Sequence, residues 1–240
     1  MGEAGGLPSD EETYQEAFAR IESAVDAGRT DLSGLGFWRL VHQVKVEPTL
    51  VERWADQVGR IDRKAFEARV RFRLPVWFGN LVLFIGVLFG AAAVVYGMRA
   101  DNSTVAGWAF VVGGVAWLFS LHDLAHWAVG RLAGIWFLAF FVGTFPPWPG
   151  LKIDYASYLR ASPGARAWMH ASGALVTKIA PFVALGFCLA AGGPPWSVGA
   201  LAGIGVFQIV TDILFSTKRS DWKRVGRERA VARAQADRQR

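Results

Sequence analysis

Residues 105–135 read VAGWAFVVGGVAWLFSLHDLAHWAVGRLAGI, an apolar run that ends in a group of polar side chains. The first ionisable side chains in this run are those of His122, Asp123 and His126. A helix of about 20 apolar residues is long enough to cross the ~30 Å hydrocarbon core of a bilayer. Ionisable groups inside such a helix are costly and usually functional. The stretch therefore predicts a membrane-spanning helix that carries a functional site near its C-terminal end.

The two histidines have a spacing that suits a metal ion. His122 and His126 are four residues apart, so on a helix their imidazoles lie on one face, one turn from each other. Two imidazoles at this spacing bind one zinc ion in the helical His-Glu-x-x-His motif, in which the glutamate is the general base. Asp123 stands at the position of that glutamate, with a side chain that is one methylene shorter. The pattern predicts His122 and His126 as metal ligands and Asp123 as the catalytic carboxylate.

The residues that follow extend the match. The sequence HDLAHWAVGRLAGI, residues 122–135, resembles the "HELGH…ARLxGI" active-site helix of the site-2 protease family of intramembrane zinc metalloproteases. The resemblance covers about residues 105–225. It implies a zinc ion held by His122 and His126, and it implies hydrolysis of peptide bonds in membrane-embedded partner proteins, with Asp123 as the general base.

A catalytic zinc site needs a third protein ligand and an open position for water. With only four histidines in the chain, a carboxylate is expected, and Asp212 and Asp221 are the candidates. In the family, an Asn begins an extended stretch and an Asp-Gly about eight residues later supplies the ligand. Asp212 resembles the Asn position and Asp221 the Asp position, so the resemblance favours Asp221. Depth in the membrane favours Asp212, which has an alternative role as the ion-pair partner of Lys178.

The composition also predicts a membrane protein. Of the 240 residues, 52% are apolar, and the charged side chains collect at the two ends. We expect an all-α membrane protein with about four transmembrane helices, at about residues 76–98, 105–128, 172–192 and 198–216. Residues 135–142 are apolar but too short to cross, and we expect a hairpin or a re-entrant segment there. The single cysteine, Cys188, excludes an intramolecular disulfide.

The two ends of the chain are polar and basic. Residues 1–74 are expected to form a cytoplasmic helical region, with helices at about 10–27, at about 35–44 and after Pro48, where Thr49 is the expected cap. Residues 75–217 are the expected transmembrane core. Residues 218–240 are expected to be a basic cytoplasmic tail, with nine Lys and Arg against three acidic residues.

The basic residues orient the chain, because positive charges beside membrane spans stay cytoplasmic. An even number of spans then places both termini in the cytoplasm. The basic run at 60–73 and the basic C-terminal residues are suited to anionic lipid headgroups, at ~1 kcal/mol for each Lys or Arg near the surface. The expected partners are therefore the bilayer and a membrane-protein substrate, with no nucleic acid.

Two other functions fit part of this pattern. The His-Asp-x-x-His pattern also resembles the first histidine box of membrane fatty-acid desaturases, but their di-iron sites use about eight histidines and this chain has four. Of those four, His42 is expected in a structural or surface position. His170 is expected in a structural role, the alternative being that it orients the substrate or a metal-bound oxyanion. The remaining alternative is a catalytically inactive, protease-like membrane scaffold, because Asp123 reaches about 1.5 Å less far than the glutamate of the motif and misplacement by about 1 Å costs ~100-fold in rate.

Overall fold

The computed structural model describes residues 11–143, 149–214 and 220–238. Within these ranges the chain forms nine helices and three short strands. The helices are α1 (Glu11–Asp26), α2 (Phe37–Val46), α3 (Pro48–Arg69), α4 (Val76–Gly97), α5 (Ser103–Leu132), α6 (Tyr155–Arg160), α7 (Pro163–Ala190), α8 (Pro195–Leu214) and α9 (Asp221–Arg238). The strands are β1 (Arg73–Leu74), β2 (Phe137–Val142) and β3 (Pro149–Ile153).

Four of the described helices, α4, α5, α7 and α8, are long and apolar enough to cross a membrane. The predicted fold class, an all-α membrane protein, is thereby confirmed. The third predicted span, about residues 172–192, is part of a helix that starts earlier, since α7 begins at Pro163. The reason is local, because the side chain of Ser162 accepts a hydrogen bond from Ala165 N and Pro163 occupies the first helical position. The end of the fourth predicted span, residues 215 and 216, lies outside the described residues.

α5, which carries the two histidines, packs closely against α4 and α7. The α4 contact depends on small residues, since a Cβ added at Gly113 would lie only 2.8 Å from the carbonyl oxygen of Gly90. Beside this contact, Trp117 of α5 donates a 3.0 Å hydrogen bond to the carbonyl of Val87. α5 is therefore held from two sides, which fixes the direction of its histidines.

The hairpin expected at residues 135–142 is confirmed, because β2 lies there and pairs antiparallel with the strand that follows it. β2 pairs antiparallel with both β1 and β3, in the strand order β1-β2-β3. The residues that join β2 to β3, 144–148, lie outside the described part of the chain. β3 is fastened to the N-terminal region by a 2.5 Å ion pair between Lys152 and the buried Asp62 of α3.

The N-terminal helices form a core of their own, as their apolar periodicity predicts. Its buried side chains include Tyr14, Phe18, Ile21, Val25, Trp54, Val58 and Ile61. The predicted cap of α3 was wrong by two residues. Glu47 is the N-cap, with Pro48 at the first helical position, and Thr49 lies within the first turn. The early start follows from the fixed backbone angle of proline, which suits the beginning of a helix.

The predicted basic tail is a helix that packs against the rest of the protein. α9 contacts both α7 and α2, and it buries Val225, Glu228 and Val231 along one side. Its many basic residues occupy the remaining surface. The helix packs on this side because apolar and buried residues recur every three residues within its polar sequence.

Candidate metal centre

The side chains of His122, His126 and Asp221 lie close together. The two histidines come from the predicted transmembrane core and the aspartate from the predicted C-terminal tail. His122 and His126 project from α5, and Asp221 is the first residue of α9. The Nε2 atoms of His122 and His126 lie 3.7 Å and 3.3 Å from Asp221 Oδ2. The two imidazole rings are nearly perpendicular, with centroids 4.6 Å apart. These three groups form a cluster that is suited to hold a metal ion, because one ligand atom from each lies within 4.8 Å of the others.

The Nδ1 atom of His126, which does not face Asp221, fixes the orientation of the imidazole ring. His126 Nδ1 lies 2.6 Å from the main-chain carbonyl oxygen of Met169 on α7. Since a carbonyl can only accept, Nδ1 carries the proton, and in the neutral ring the lone pair is on Nε2, which faces Asp221. Metal-binding histidines usually have a carbonyl or carboxylate partner of this kind, which sets the tautomer and the ring orientation.

His122 is held less firmly. Its Nδ1 atom is buried and has no hydrogen-bond partner among the described residues. Its side chain is 34% exposed, against 11% for His126 and 17% for Asp221. The cluster is therefore closed on the side of His126 and open on the side of His122, which leaves room for an additional small ligand.

Asp221 is an anion in these surroundings. Burial acts to raise the pKa of Asp221, but when the histidines are protonated the hydrogen bond from His126 Nε2 and the charges of both imidazoles, together with Arg224, lower the pKa overall. His170 also faces it, with Nδ1 4.0 Å from Asp221 Oδ1. An anionic oxygen between two imidazoles is a suitable donor for a divalent metal of the first transition series.

The second carboxylate candidate, Asp212, lies elsewhere. Asp212 forms an ion pair with Lys178 and accepts a 3.1 Å hydrogen bond from the indole nitrogen of Trp222. Lys178 also donates to the carbonyl of Ala174. The structure therefore brings Asp221, and not Asp212, to the histidines, and Asp212 has the ion-pair role that the sequence offered as its alternative.

The other predicted residues are placed as follows. Asp123 is half-buried beside the cluster and close enough to interact electrostatically with His122, His126 and Asp221. It forms no hydrogen bond or ion pair with the residues that the structure describes. His42 is exposed on α2, and His170 is buried with its Nε2 2.9 Å from the hydroxyl of Tyr158.

Sequence reasoning missed the role of Gly173. This residue of α7 lies against the imidazole of His126, and the small residues Gly173 and Ala174 were the available signal, since small residues allow close helix approach. It also missed Glu228, which is buried in α9 two turns after Asp221. A carboxylate between Val225 and Val231 in an otherwise basic helix was the available signal.

Comparison of the chain with protein-family models, with curated proteins and with solved structures found no match. The resemblance to site-2 proteases therefore depends on the sequence motif alone.

Proposed function

We propose that this protein is an intramembrane zinc metalloprotease that hydrolyses peptide bonds in the membrane segments of partner proteins. The observation that carries the proposal is the convergence of His122 and His126 with Asp221, a residue 95 positions further along the chain than His126. Two imidazoles and one carboxylate, with an open fourth side, are the donor set of a catalytic zinc site.

The distances fit zinc. Ligand atoms 2.0–2.1 Å from a tetrahedral zinc ion lie about 3.3 Å from one another. The two separations from Asp221 Oδ2, 3.3 Å to His126 Nε2 and 3.7 Å to His122 Nε2, are close to that value. The proton on His126 Nδ1, held by the carbonyl of Met169, leaves Nε2 as the donor.

Bound zinc would supply a Lewis acid that polarises the scissile carbonyl and makes a water molecule more acidic. Asp123 adjoins His122 and is free of hydrogen bonds within the described residues, so it is available for proton transfer. It would accept a proton from the attacking water while the oxygen joins the carbonyl carbon. It would then return that proton to the amide nitrogen as the C–N bond breaks.

A groove beside α5 supports a membrane segment as the substrate. An apolar groove of about 420 Å³ runs between α5 and α8, lined by Val115, Leu118, Phe119, Gly203, Ile204, Phe207 and Gln208. Leu118 is one helical turn from His122. The apolar lining supports an apolar membrane segment of a partner protein as the occupant.

The packing of the two ends supports the proposed topology. α2 and α9 contact each other, which is consistent with both ends of the chain on one side of the membrane, as four crossings imply. The basic residues at 60–73 and 218–240 then assign that side to the cytoplasm.

Metal analysis of the full chain, purified in detergent and supplied with zinc, tests the proposal together with a cleavage assay. The probe is a single-span peptide with a fluorophore and a quencher on opposite sides of its membrane segment. We expect about one zinc per chain and measurable cleavage, both lost in His126→Ala. His42→Ala, which removes an exposed histidine, is the matched control and should retain both.

The outcomes separate the two functions left open by the sequence. Zinc without cleavage of any membrane segment in a peptide panel favours the inactive scaffold. Wild-type protein without zinc contradicts both the metal centre and the protease.

A further inference from the structure

α9 carries two acidic side chains that share one side of the helix. Asp221 and Glu228 are seven residues apart, which is close to two turns, so they lie about 10 Å apart along the axis. Asp221 reaches the two histidines of α5, while Glu228 is only 2% exposed. The proposed third metal ligand is therefore part of the same short rigid element as a buried carboxylate.

Glu228 is bound by three separate helices. It forms an ion pair with Lys45 of α2, accepts a 2.7 Å hydrogen bond from the Tyr158 hydroxyl of α6, and accepts a 2.6 Å hydrogen bond from Arg166 Nε of α7. These three partners are themselves buried. A carboxylate in such a place is stable only while it is paired, so these contacts fix where α9 lies.

The same group of side chains extends to the metal centre. Because the Tyr158 hydroxyl donates to Glu228, its oxygen accepts a hydrogen bond from His170 Nε2, at 2.9 Å. In the neutral ring His170 Nδ1 then carries a lone pair, and it faces Asp221 Oδ1 at 4.0 Å. His170 therefore donates no hydrogen bond to Asp221, and the carboxylate keeps its oxygens for a metal.

The C-terminal half of α9 is held by the N-terminal region as well. Gln235 donates a 3.1 Å hydrogen bond to the main-chain carbonyl of Lys45, and Arg238 pairs with Glu47 at 2.7 Å. Both acceptors lie where α2 meets α3. The N-terminal region thus contacts the helix that begins with the proposed metal ligand at two places beyond Glu228.

We propose that Glu228 is a positioning residue for the metal centre. Through its contacts with Lys45, Tyr158 and Arg166 it holds α9 so that Asp221 stays within reach of the histidines. The N-terminal region, through Lys45, thereby controls how tightly the metal is bound. This inference rests on the metal site of the proposed function but not on peptidase activity.

Three variants of the full chain test this role. Glu228→Gln preserves the shape but leaves Lys45 and Arg166 facing a neutral amide. Lys45→Met removes the contact from α2 and leaves Arg166 paired with Glu228. Methionine has about the length of lysine and carries no charge, so it suits the buried position of Lys45. Asp237→Asn changes an exposed acid of α9 and is the matched control.

The readout is titration with Co²⁺, whose visible absorption reports both affinity and ligand set. We expect Glu228→Gln to bind Co²⁺ about 10- to 100-fold more weakly, the range for lost support of a metal ligand. Its spectrum at saturation should resemble that of Asp221→Asn. Lys45→Met should weaken binding by a smaller factor, and adding it to Glu228→Gln should restore part of the loss by removing one unpaired cation. Asp237→Asn should match the wild type.

The possible results are distinct. Glu228→Gln could keep the wild-type Co²⁺ affinity and spectrum, even with a lower melting temperature. Glu228 would then only stabilise the fold. The inference would be wrong, and the metal centre itself would not be contradicted. If Glu228→Gln does not fold, Lys45→Met is the deciding variant. An unchanged Co²⁺ affinity in Lys45→Met would contradict the proposed control of metal binding by the N-terminal region. Absence of Co²⁺ binding in the wild type contradicts the proposed function as well.

Discussion

Gly173 lies so close to the imidazole of His126 that a Cβ added there would be 2.4 Å from Nε2. The ring cannot move away freely, because its Nδ1 donates to the carbonyl of Met169 on the same helix as Gly173. One methyl group on α7 would thus push directly on the nitrogen proposed to bind metal. We predict that Gly173→Ala lowers metal affinity about 10- to 100-fold, as loss of ligand support does, measured by Co²⁺ titration.

The same helix offers a control. A Cβ at Gly186 would meet no atom within 4 Å, so Gly186→Ala should leave metal affinity unchanged. It should also slightly favour the helix, since alanine is the better helix former. Equal affinities in the two variants would contradict this prediction and would mean that the close approach of Gly173 does not fix the metal-binding position of His126.

The parts of the fold that were predictable are those encoded locally. Long uncharged runs identify four spans, and the four-residue spacing of His122 and His126 identifies one side of the metal site. The first turns of α7 lie outside the predicted span because Arg166 lowers the hydropathy there, although Ser162-Pro163 is a local cap signal. Hydropathy alone predicts a loop at Arg166, but this arginine lies in the helix, where it is 1% exposed and paired with Glu228.

The rest depends on contacts between distant residues. Lys45 and Glu228 are 183 positions apart, and no local sequence pattern in either segment predicts that they form an ion pair. The choice between Asp212 and Asp221 as the third metal ligand also depends on contacts between distant residues. It required knowing that α9 turns back onto the bundle, which follows from tertiary packing and not from the polar sequence of that helix.

The two carboxylates should respond differently to substitution. We predict that Asp221→Asn weakens zinc binding by more than about 100-fold, because a direct ligand is worth more than its supporting contacts. Asp212→Asn should keep the metal but lower the melting temperature, because it leaves Lys178 without its ion-pair partner at membrane depth. Metal content and thermal stability, measured on the same preparations, separate the two effects.

Lys178 provides the cross-check. If Asp212 serves only as its partner, Lys178→Met should restore part of the stability lost in Asp212→Asn, since the double variant has no unpaired charge at that place. Loss of zinc in Asp212→Asn, unrelieved by Lys178→Met, would instead identify Asp212 as a ligand and contradict the assignment to Asp221.

We predict that low pH weakens the packing of α9 against the rest of the protein. Burial acts to raise the pKa of Glu228, but Lys45 and Arg166, with their charges and hydrogen bonds, lower it below its usual value of 4.5. The unfolded state therefore binds more protons between the lowered pKa and pH 4.5. The stabilisation by Glu228 is complete above pH 4.5 and is lost as the pH falls through the lowered value.

Hydrogen exchange of the α9 amides, corrected for the intrinsic pH dependence of exchange, measures this directly. We expect protection of α9 to fall on acidification below pH 4.5 in the wild type. In Glu228→Gln it should be low throughout and should lack that step. A step of equal size in the variant would assign the acid response to other carboxylates.

Asp123 allows the proton-transfer role to be separated from metal binding. If it takes the proton from the attacking water, Asp123→Asn should keep zinc and lose at least ~100-fold in cleavage rate, the contribution of a general base. Asp123→Glu should preserve or raise the rate, because the longer side chain restores the reach of the His-Glu-x-x-His motif. The measurements are zinc content and initial cleavage rate of the quenched single-span peptide. Loss of zinc in Asp123→Asn would make Asp123 a ligand or a support of one, and the proposed mechanism would then be wrong.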